Sequence, residues 1–575
     1  MTSTPLLTVR NLSVRFGRNP QRALPAVDNI SFDVAAGECL AIVGESGSGK
    51  SVSARSLLGL APAGAHVSYD ELSLAGEALP APGARRWRTI RGASIGLVLQ
   101  DALVSLDPLR PVGREIDDVL RLHTTLSPAE RHERMLELLT AVGIPDPALR
   151  ARQRSGELSG GLRQRALIAA GIVAGPALLI ADEPTTALDV TVQATILSLL
   201  ASLRDSGTAL ILITHDLAVV SHVADRVAVM SEGQIVETGA THVVLNEPTA
   251  RATQQLLASI PVDVPRGVPL SVFGDDASAD RPLSASAPAS GAVARGRRSL
   301  GERPPAPAQL PPALELVSVS RSYSTPSGVP IRALDSVSLA LKRGTTLGLV
   351  GQSGSGKTTI ARIALGLETA DSGEVLLNGS AWSSLDPRQR RRLRHSLGAI
   401  YQDALSSFDP RLSVERILAD ALSARAPSTT PGTGVTEPNL SGLNSVDELL
   451  DAVGLPRELK NRRPLLLSGG QRQRVAIARA LAPGPVTLLC DEPVSSLDVS
   501  TQALVLNLLD ELQRHLQLSY LFISHDLGVI RHMSDRVAVI TDGRIVETGP
   551  TEEIFDTPAN PYTQSLIAAL PRVRG

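Results

Sequence analysis

Cysteine is nearly missing: Cys39 and Cys490 are the two in 575 residues. They lie far apart with no metal-ligand spacing, which excludes a disulfide framework, a zinc site and an iron–sulfur cluster, and leaves two buried thiols as the expectation. Charge of one sign is also missing. Lys and Arg number 56 against 58 Asp and Glu, a net −2, so the chain has no global field for nucleic acid or a membrane surface, and any anion site must be local. Long apolar runs are missing as well. The longest, "ALIAAGIVAGPALLIA" from Ala166 to Ala181, is too short to span a bilayer and is broken by Gly175 and Pro176, so it reads as a helix, a turn and a buried strand. The first residues, "MTSTPLLTVRNLSVRFG", carry Arg10 and Arg15 and lack a continuous apolar core, so they are not expected to be a secretory signal and the chain is expected to stay in the cytoplasm. Aromatics make up only 2% of residues, so an aromatic beside a motif carries weight.

What is present is written twice. "VGESGSGKS" at 43–51 returns as "VGQSGSGKT" at 350–358, and "VLQDALVSLDPLRPVGREI" at 98–116 as "IYQDALSSFDPRLSVERIL" at 400–418. "LLIADEPTTALDVT" at 178–191 returns as "LLCDEPVSSLDVS" at 488–500, and "ELSGGLRQR" near 160 as "LLSGGQRQR" near 469. A repeat in one fixed order means two homologous domains. Their expected extents are residues 1–261 and 311–575. The stretch 262–310 between them is rich in Pro, Ala, Gly and Ser and reads as a flexible linker, with a coil end-to-end distance of roughly 40 Å. Residues 426–445 have no counterpart in the first half and read as a surface-loop insertion. Short apolar runs such as "CLAIV" and "ALILIT" alternate with helical segments, as in an α/β fold with buried parallel strands. "VAVMSEGQIVE" and "VAVITDGRIVE" read as hairpins with Gly in the turn.

Each "GxSGSGK" run matches G-x-x-x-x-G-K-[ST] between an apolar strand and a helical pattern, the context in which that motif binds phosphate. Gly44, Gly47 and Gly49 with Ser46 let backbone N–H groups wrap phosphate oxygens at a helix N-terminus. Lys50 reaches the outer phosphates and Ser51 ligates Mg²⁺. Gly351, Ser353, Gly354, Gly356, Lys357 and Thr358 repeat the set. The runs "LLIADE" and "TLLCDE" end in a carboxylate followed by Glu. Asp182 and Asp491 are placed to hold Mg²⁺ through water, and Glu183 and Glu492 to take a proton from an attacking water.

Those acids, the His after the next strand (His215 and His525) and the Gln of "LQD" and "YQD" (Gln100 and Gln402, also expected at Mg²⁺) resemble the parts of an ATP-binding cassette. The likeness to the ABC transporter nucleotide-binding family covers nearly the whole chain, and "LSGG" is that family's signature. It implies an α/β fold of two tandem P-loop domains, each with a RecA-like core, an antiparallel β subdomain and a helical signature subdomain. It also implies crossed sites, in which ATP at one P-loop is capped by the other half's signature. Lys50, Ser51, Gln100, Asp182, Glu183 and His215 then work with Ser468, Gly469, Gly470 and Gln471. Lys357, Thr358, Gln402, Asp491, Glu492 and His525 work with Ser159, Gly160 and Gly161. Leu162 replaces the usual Gln in the first signature, with little loss expected because Ser and Gly make the phosphate contacts. Phe16 and Tyr323, equally spaced before Gly44 and Gly351, stand where the family stacks adenine, a contact of about 1–3 kcal/mol. Asp189 and Asp498 resemble the loop through which the two sites sense one another, and are also in place to cap a helix.

A cassette alone does not say what it drives. The end of the chain does more. "IFDTPANPYTQSLIAALP" resembles the tail of the oligopeptide, dipeptide and nickel importer ATPases, with Asn560 where that tail has His; the first half has Ala252 where Tyr562 stands. "QDALVSLDP" and "QDALSSFDP" look like the same subfamily. The resemblance implies a peripheral ATPase on the cytoplasmic face of the membrane, using ATP and Mg²⁺ and docking through the helices after Gln100 and Gln402 on two permease subunits served by an extracytoplasmic solute-binding protein. Di- or oligopeptides are the expected cargo, with no nucleic acid and no iron–sulfur cluster. The alternatives are nickel or another small solute, or a soluble translation-associated ATPase.

Overall fold

The computed structural model describes residues 5–17, 24–99, 105–185, 188, 190–261, 264–270, 311–324, 330–425 and 443–569. They form two compact units, one reaching to Ala258 and the other running from Ser259 to Ala568. Gln100, Asp189 and most of the expected 262–310 linker and 426–445 insertion lie outside the described residues.

Each unit is built on a six-stranded sheet. In the first the order is Gln234–Ala240, Arg226–Ser231, Cys39–Gly44, Ala209–Ile213, Leu178–Asp182 and Ile95–Val98. All neighbours are parallel except the first pair, a hairpin. The second unit repeats the order with Arg544–Pro550, Arg536–Thr541, Thr346–Val350, Ser519–Ile523, Thr487–Asp491 and Leu397–Ile400. The strands that read as unbroken apolar runs are central: every residue of Cys39–Gly44 and Ala209–Ile213 is buried, as required of a strand covered on both faces. The hairpin turns contain Glu232–Gly233 and Asp542–Gly543, all four at positive φ, the geometry whose twist suits a two-residue turn.

Against this core lies an antiparallel sheet, Pro25–Val34, Leu7–Phe16 and Glu71–Leu74 in the first unit and Pro330–Leu341, Leu314–Ser324 and Ser372–Leu377 in the second. Each is locked by a buried tryptophan, Trp87 at 2% exposure and Trp382 at 1%, and truncating such a residue to Ala costs about 3–5 kcal/mol. The helical subdomain of the first unit comprises Val112–His123, Pro128–Ala141 and Gly160–Ile172. That of the second comprises Val414–Ser423, Val446–Ala452 and Gly469–Leu481. Sequence and structure differ at one boundary. The described stretch 264–270 of the expected linker packs within the second unit, because Arg266 and Leu270 find hydrogen-bond partners there.

Candidate active site

The loop after each central strand turns directly into a helix, Lys50–Leu57 or Lys357–Ala364. The turn needs glycine just ahead of the lysine. Gly49 and Gly356 cap the two helices with φ of 102° and 109°, and a Cβ there would lie 2.5 Å from the Ala26 carbonyl or 2.6 Å from that of Ala333. An Ala at either place meets both left-handed strain and a clash. Lys50 is 7% exposed, with its Nζ donating to the carbonyls of Gly44 and Glu45 at 2.7 Å. Lys357 is 8% exposed and donates to Gly351 and Gln352 at 2.7 and 2.8 Å. Each ammonium is thus held by loop carbonyls beside a helix N-terminus, a positive pocket suited to an anion.

Asp182 ends its strand at 1% exposure. The Ser51 hydroxyl donates to its Oδ1 at 3.0 Å, while the buried Oδ2 has no hydrogen-bond partner among the described residues. Burial pushes the Asp182 carboxyl above its ordinary value, partly offset by the Ser51 hydrogen bond. Burial, then the charge of Glu492, pushes Asp491 up to about 6. A buried oxygen with no donor suits a cation, so Ser51 with Asp182 fits Mg²⁺, and Thr358 and Asp491 stand at the corresponding positions of the repeat.

The next residue in each strand turn, Glu183 or Glu492, has φ of +50°, a left-handed conformation that costs a non-glycine residue about 1–3 kcal/mol and concentrates at functional sites. Its amide donates to the neighbouring strand, to Ile213 at 2.8 Å or Ile523 at 2.9 Å. The carboxylate then meets the histidine that follows that strand. His215 Nδ1 lies 3.0 Å from Glu183 Oε1, and His525 Nδ1 3.2 Å from Glu492 Oε1. Desolvation disfavours both imidazolium ions, but the glutamates outweigh it and raise both histidines above their ordinary value. For Glu492 burial pushes upward, and the bond and charge of His525 bring the carboxyl below its ordinary value. Gln402 Nε2 also donates to Glu492 Oε2 at 2.7 Å. A carboxylate ionised at neutral pH and oriented on both oxygens is equipped to accept a proton from water.

Ser159 and Ser468 are exposed N-caps of the 13-residue helices Gly160–Ile172 and Gly469–Leu481. Ser468 accepts from the Gln471 amide while the Gln471 side chain accepts from the Ser468 amide, both at 3.2 Å. Ser159 accepts from the Leu162 amide alone, at 3.4 Å. The Leu162 departure therefore removes a reciprocal cap bond. A Cβ on Gly160 would meet nothing, one on Gly161 or Gly469 would make ordinary contact with Leu188 or Leu497 at 3.6 Å, and one on Gly470 would meet Thr501 at 2.4 Å. The two aromatics differ. Phe16 packs partly into the first unit's core, and Tyr323 is 36% exposed with the Arg321 guanidinium 5.2 Å from its ring centre. Asp498 caps Val499–Leu516, accepting from the Thr501 amide.

Sequence reasoning missed one contact. The hydroxyl of Tyr562, from the C-terminal helix Pro561–Ala568, accepts from the Gln352 amide of the second phosphate loop at 3.1 Å. The only signal for it was Ala252 at the corresponding place in the first half.

Family comparison agrees with this geometry. The ABC transporter model matches residues 27–186 and 334–495, more than half of the chain. The model for the oligopeptide/dipeptide transporter C-terminal region matches 546–575. A peptidoglycan transport ATP-binding protein, YejF, of Agrobacterium fabrum is 40% identical over 572 residues, 98% of this chain and 96% of that protein. A glutathione import ATP-binding protein, GsiA, of Escherichia coli K12 is 40% identical over 98% of this chain and 89% of its own length. Among solved structures, the archaeal ribosome recycling factor aABCE1 in complex with stalk protein aP1 matches with a TM-score of 0.60 and 19% identity, over 94% of this chain and 90% of that one, a likeness of fold alone. The chain belongs to the ABC transporter family and is an ATP-hydrolysing protein that carries two cassettes in one polypeptide.

Proposed function

We propose that the chain is the ATPase subunit of a binding-protein-dependent importer of di- and oligopeptides. The observation that carries this reading is the match of residues 546–575 to the oligopeptide/dipeptide transporter C-terminal region, on a chain whose two halves both keep the Glu–His pair. Each ATP binds at one half's P-loop under the other half's LSGG. The loop amides with Lys50 or Lys357 take the phosphates, and the Ser159 and Ser468 helix ends complete the enclosure from the opposite half. Ser51 with Gln100 and Asp182, and Thr358 with Gln402 and Asp491, would hold Mg²⁺, which supplies charge neutralisation at the phosphates. Glu183 and Glu492 take the proton of the attacking water while His215 and His525 orient them. Phe16 and Tyr323 stack adenine. Closure of the halves on ATP and reopening on hydrolysis work the transporter.

The partners are two permease subunits and, through them, a solute-binding protein outside the membrane, with the ATPase on the cytoplasmic face. No described helix is long and apolar enough to cross a membrane. Leu109 and Leu122 are 75% and 71% exposed in the segment that follows Gln100, apolar surface of the kind a membrane subunit would cover. The names of the relatives favour glutathione or a peptidoglycan fragment, both peptide-containing, as a second reading. Proteoliposomes holding this chain with its co-purifying permeases and binding protein, tested for ATP-dependent uptake of labelled di- and tripeptides, glutathione, muropeptide and nickel, decide the matter. Peptide uptake supports the reading. Nickel uptake alone, or purification with ribosomes and no permease, overturns it.

A further inference from the structure

The stretch Val264–Leu270 is tied to the second unit along its length. The Arg266 guanidinium donates through Nη1 to the Met533 carbonyl, and through Nη2 to Gln513 Oε1 at 2.8 Å and Thr346 Oγ1 at 3.2 Å. It also pairs with Asp535 at 3.2 Å. His532 Nδ1 lies 3.2 Å from the Val264 carbonyl. Leu270, 2% exposed, exchanges two hydrogen bonds with the Asn507 side chain, its amide donating and its carbonyl accepting at 2.9 Å each. Gln513 and Thr346 are fully buried.

The first unit has the same pocket, filled differently. There Arg204, on the helix Val190–Asp205, donates to the Val223 carbonyl at 2.8 Å and lies 3.5 Å from Asp225. Asp225 in turn accepts from the Cys39 amide at 2.8 Å, just as Asp535 accepts from the Thr346 amide at 2.7 Å. In the repeat, Val223, Asp225 and Cys39 correspond to Met533, Asp535 and Thr346, and Arg204 corresponds to Gln513. Gln513 brings no charge to Asp535. The second cassette therefore lacks its own guanidinium at this place, and Arg266 arrives from 247 residues earlier in the chain to sit where Arg204 sits in the first.

We propose that the groove between helices Val499–Leu516 and Leu527–Met533 is a docking surface for Val264–Leu270, and that Arg266 completes a core the second cassette cannot complete from its own residues. The docked segment is a strap. It precedes the stretch 271–310, so a cut within 271–310 leaves it covalently attached to the first half and bound to the second. The covalent link is then dispensable for holding the halves together, and Arg266 is not. Without Arg266, Gln513 Oε1 and the Met533 carbonyl each lose a buried donor, while Thr346 Oγ1 keeps the one from Gln513 Nε2 at 2.9 Å, and a buried acceptor left without its partner is costly.

The test uses the full chain with a specific protease site placed near residue 290, cut and then run on gel filtration without nucleotide. The two wild-type fragments co-elute. Those of Arg266→Ala separate, their affinity for one another at least tenfold weaker, and the unfolding midpoint of the second cassette falls by roughly 2–4 °C. Adding Gln513→Arg to Arg266→Ala gives the cassette the arrangement of the first unit; it restores the midpoint while the fragments still separate. Should Arg266→Ala yield no folded protein, Asn507→Ala, which removes only the Leu270 pairing, gives the same separation. Wild-type fragments that part after cutting, or Arg266→Ala fragments that co-elute as wild type do, overturn the proposal. So does a midpoint that Gln513→Arg leaves lowered.

Discussion

At the scale of single residues, the Glu–His pairs and the cysteines give opposite kinds of expectation. Glu183 and Glu492 hold strained backbone and a histidine contact in both halves, a combination that concentrates at functional sites. Changing both to Gln keeps shape and hydrogen bonding but removes the proposed base. ATP turnover falls by roughly 10²-fold or more, while nucleotide affinity measured by equilibrium binding stays within a few-fold. Turnover at the wild-type rate would remove the two glutamates from the role. Cys39 and Cys490 are fully buried, and burial pushes both thiols far above their ordinary value. Thiolate is the reactive form. A thiol reagent at pH 8 labels neither in the native protein and both after denaturation, counted by mass spectrometry.

At the scale of elements, the C-terminal helix Pro561–Ala568 is anchored by one carboxylate. Glu547 accepts from the amides of Ala559 at 2.8 Å and Asn560 at 3.2 Å. Partial desolvation pushes its carboxyl up, but the hydrogen bonds outweigh that and hold it below the ordinary 4.5. A depressed folded-state value means the anchorage is fully present above pH 4.5 and is lost as pH falls through the lower folded value. Hydrogen exchange should show the Ala559 and Asn560 amides losing protection on acidification in that range, and Glu547→Gln should expose them already at neutral pH. The same helix brings Tyr562 to the Gln352 amide. Tyr562→Phe leaves that amide without the hydroxyl and raises KM for ATP at the second site a few-fold with little change in kcat, because the contact positions the loop and does not touch the reacting atoms. Equal kinetics for wild type and variant would make Tyr562 a packing residue only. These elements also mark what could be read from the chain alone. The phosphate loops, the Asp–Glu strand ends and the hairpin turns are local patterns whose residue types are dictated by backbone geometry or by charge, as at Gly49 and Asp182. Tyr562 on Gln352 and Arg266 on Met533 join positions 210 and 267 residues apart. Neither partner is an unusual residue for its own element, so no short window of sequence contains the information.

At the scale of the whole molecule, the crossed pairing of phosphate loop with signature is tested by coupling between variants. Within each unit Ser159 or Ser468 stands exposed at the start of its helix, so a large cationic side chain there meets no buried neighbour and costs the fold only the cap hydrogen bond, about 1 kcal/mol. Crossed sites make a definite pattern of coupling. Ser159→Arg and Lys357→Ala would then strike the same site, and Ser468→Arg and Lys50→Ala the other. Changes that disable one site do not add, while changes at separate sites do. The double variant Ser159→Arg/Lys357→Ala should keep about the residual ATPase of the worse single variant. Ser159→Arg/Lys50→Ala, striking both sites, should fall to the background seen when both glutamates are replaced. Azido-ATP labelling, read by mapping the modified peptide to one half or the other, gives the same answer without turnover: Ser159→Arg should deplete label next to Lys357 and spare label next to Lys50. The opposite depletion, or non-additivity within a half, would mean that each nucleotide is enclosed by a single cassette, and the strap at Arg266 would then join two independent engines instead of two halves of one.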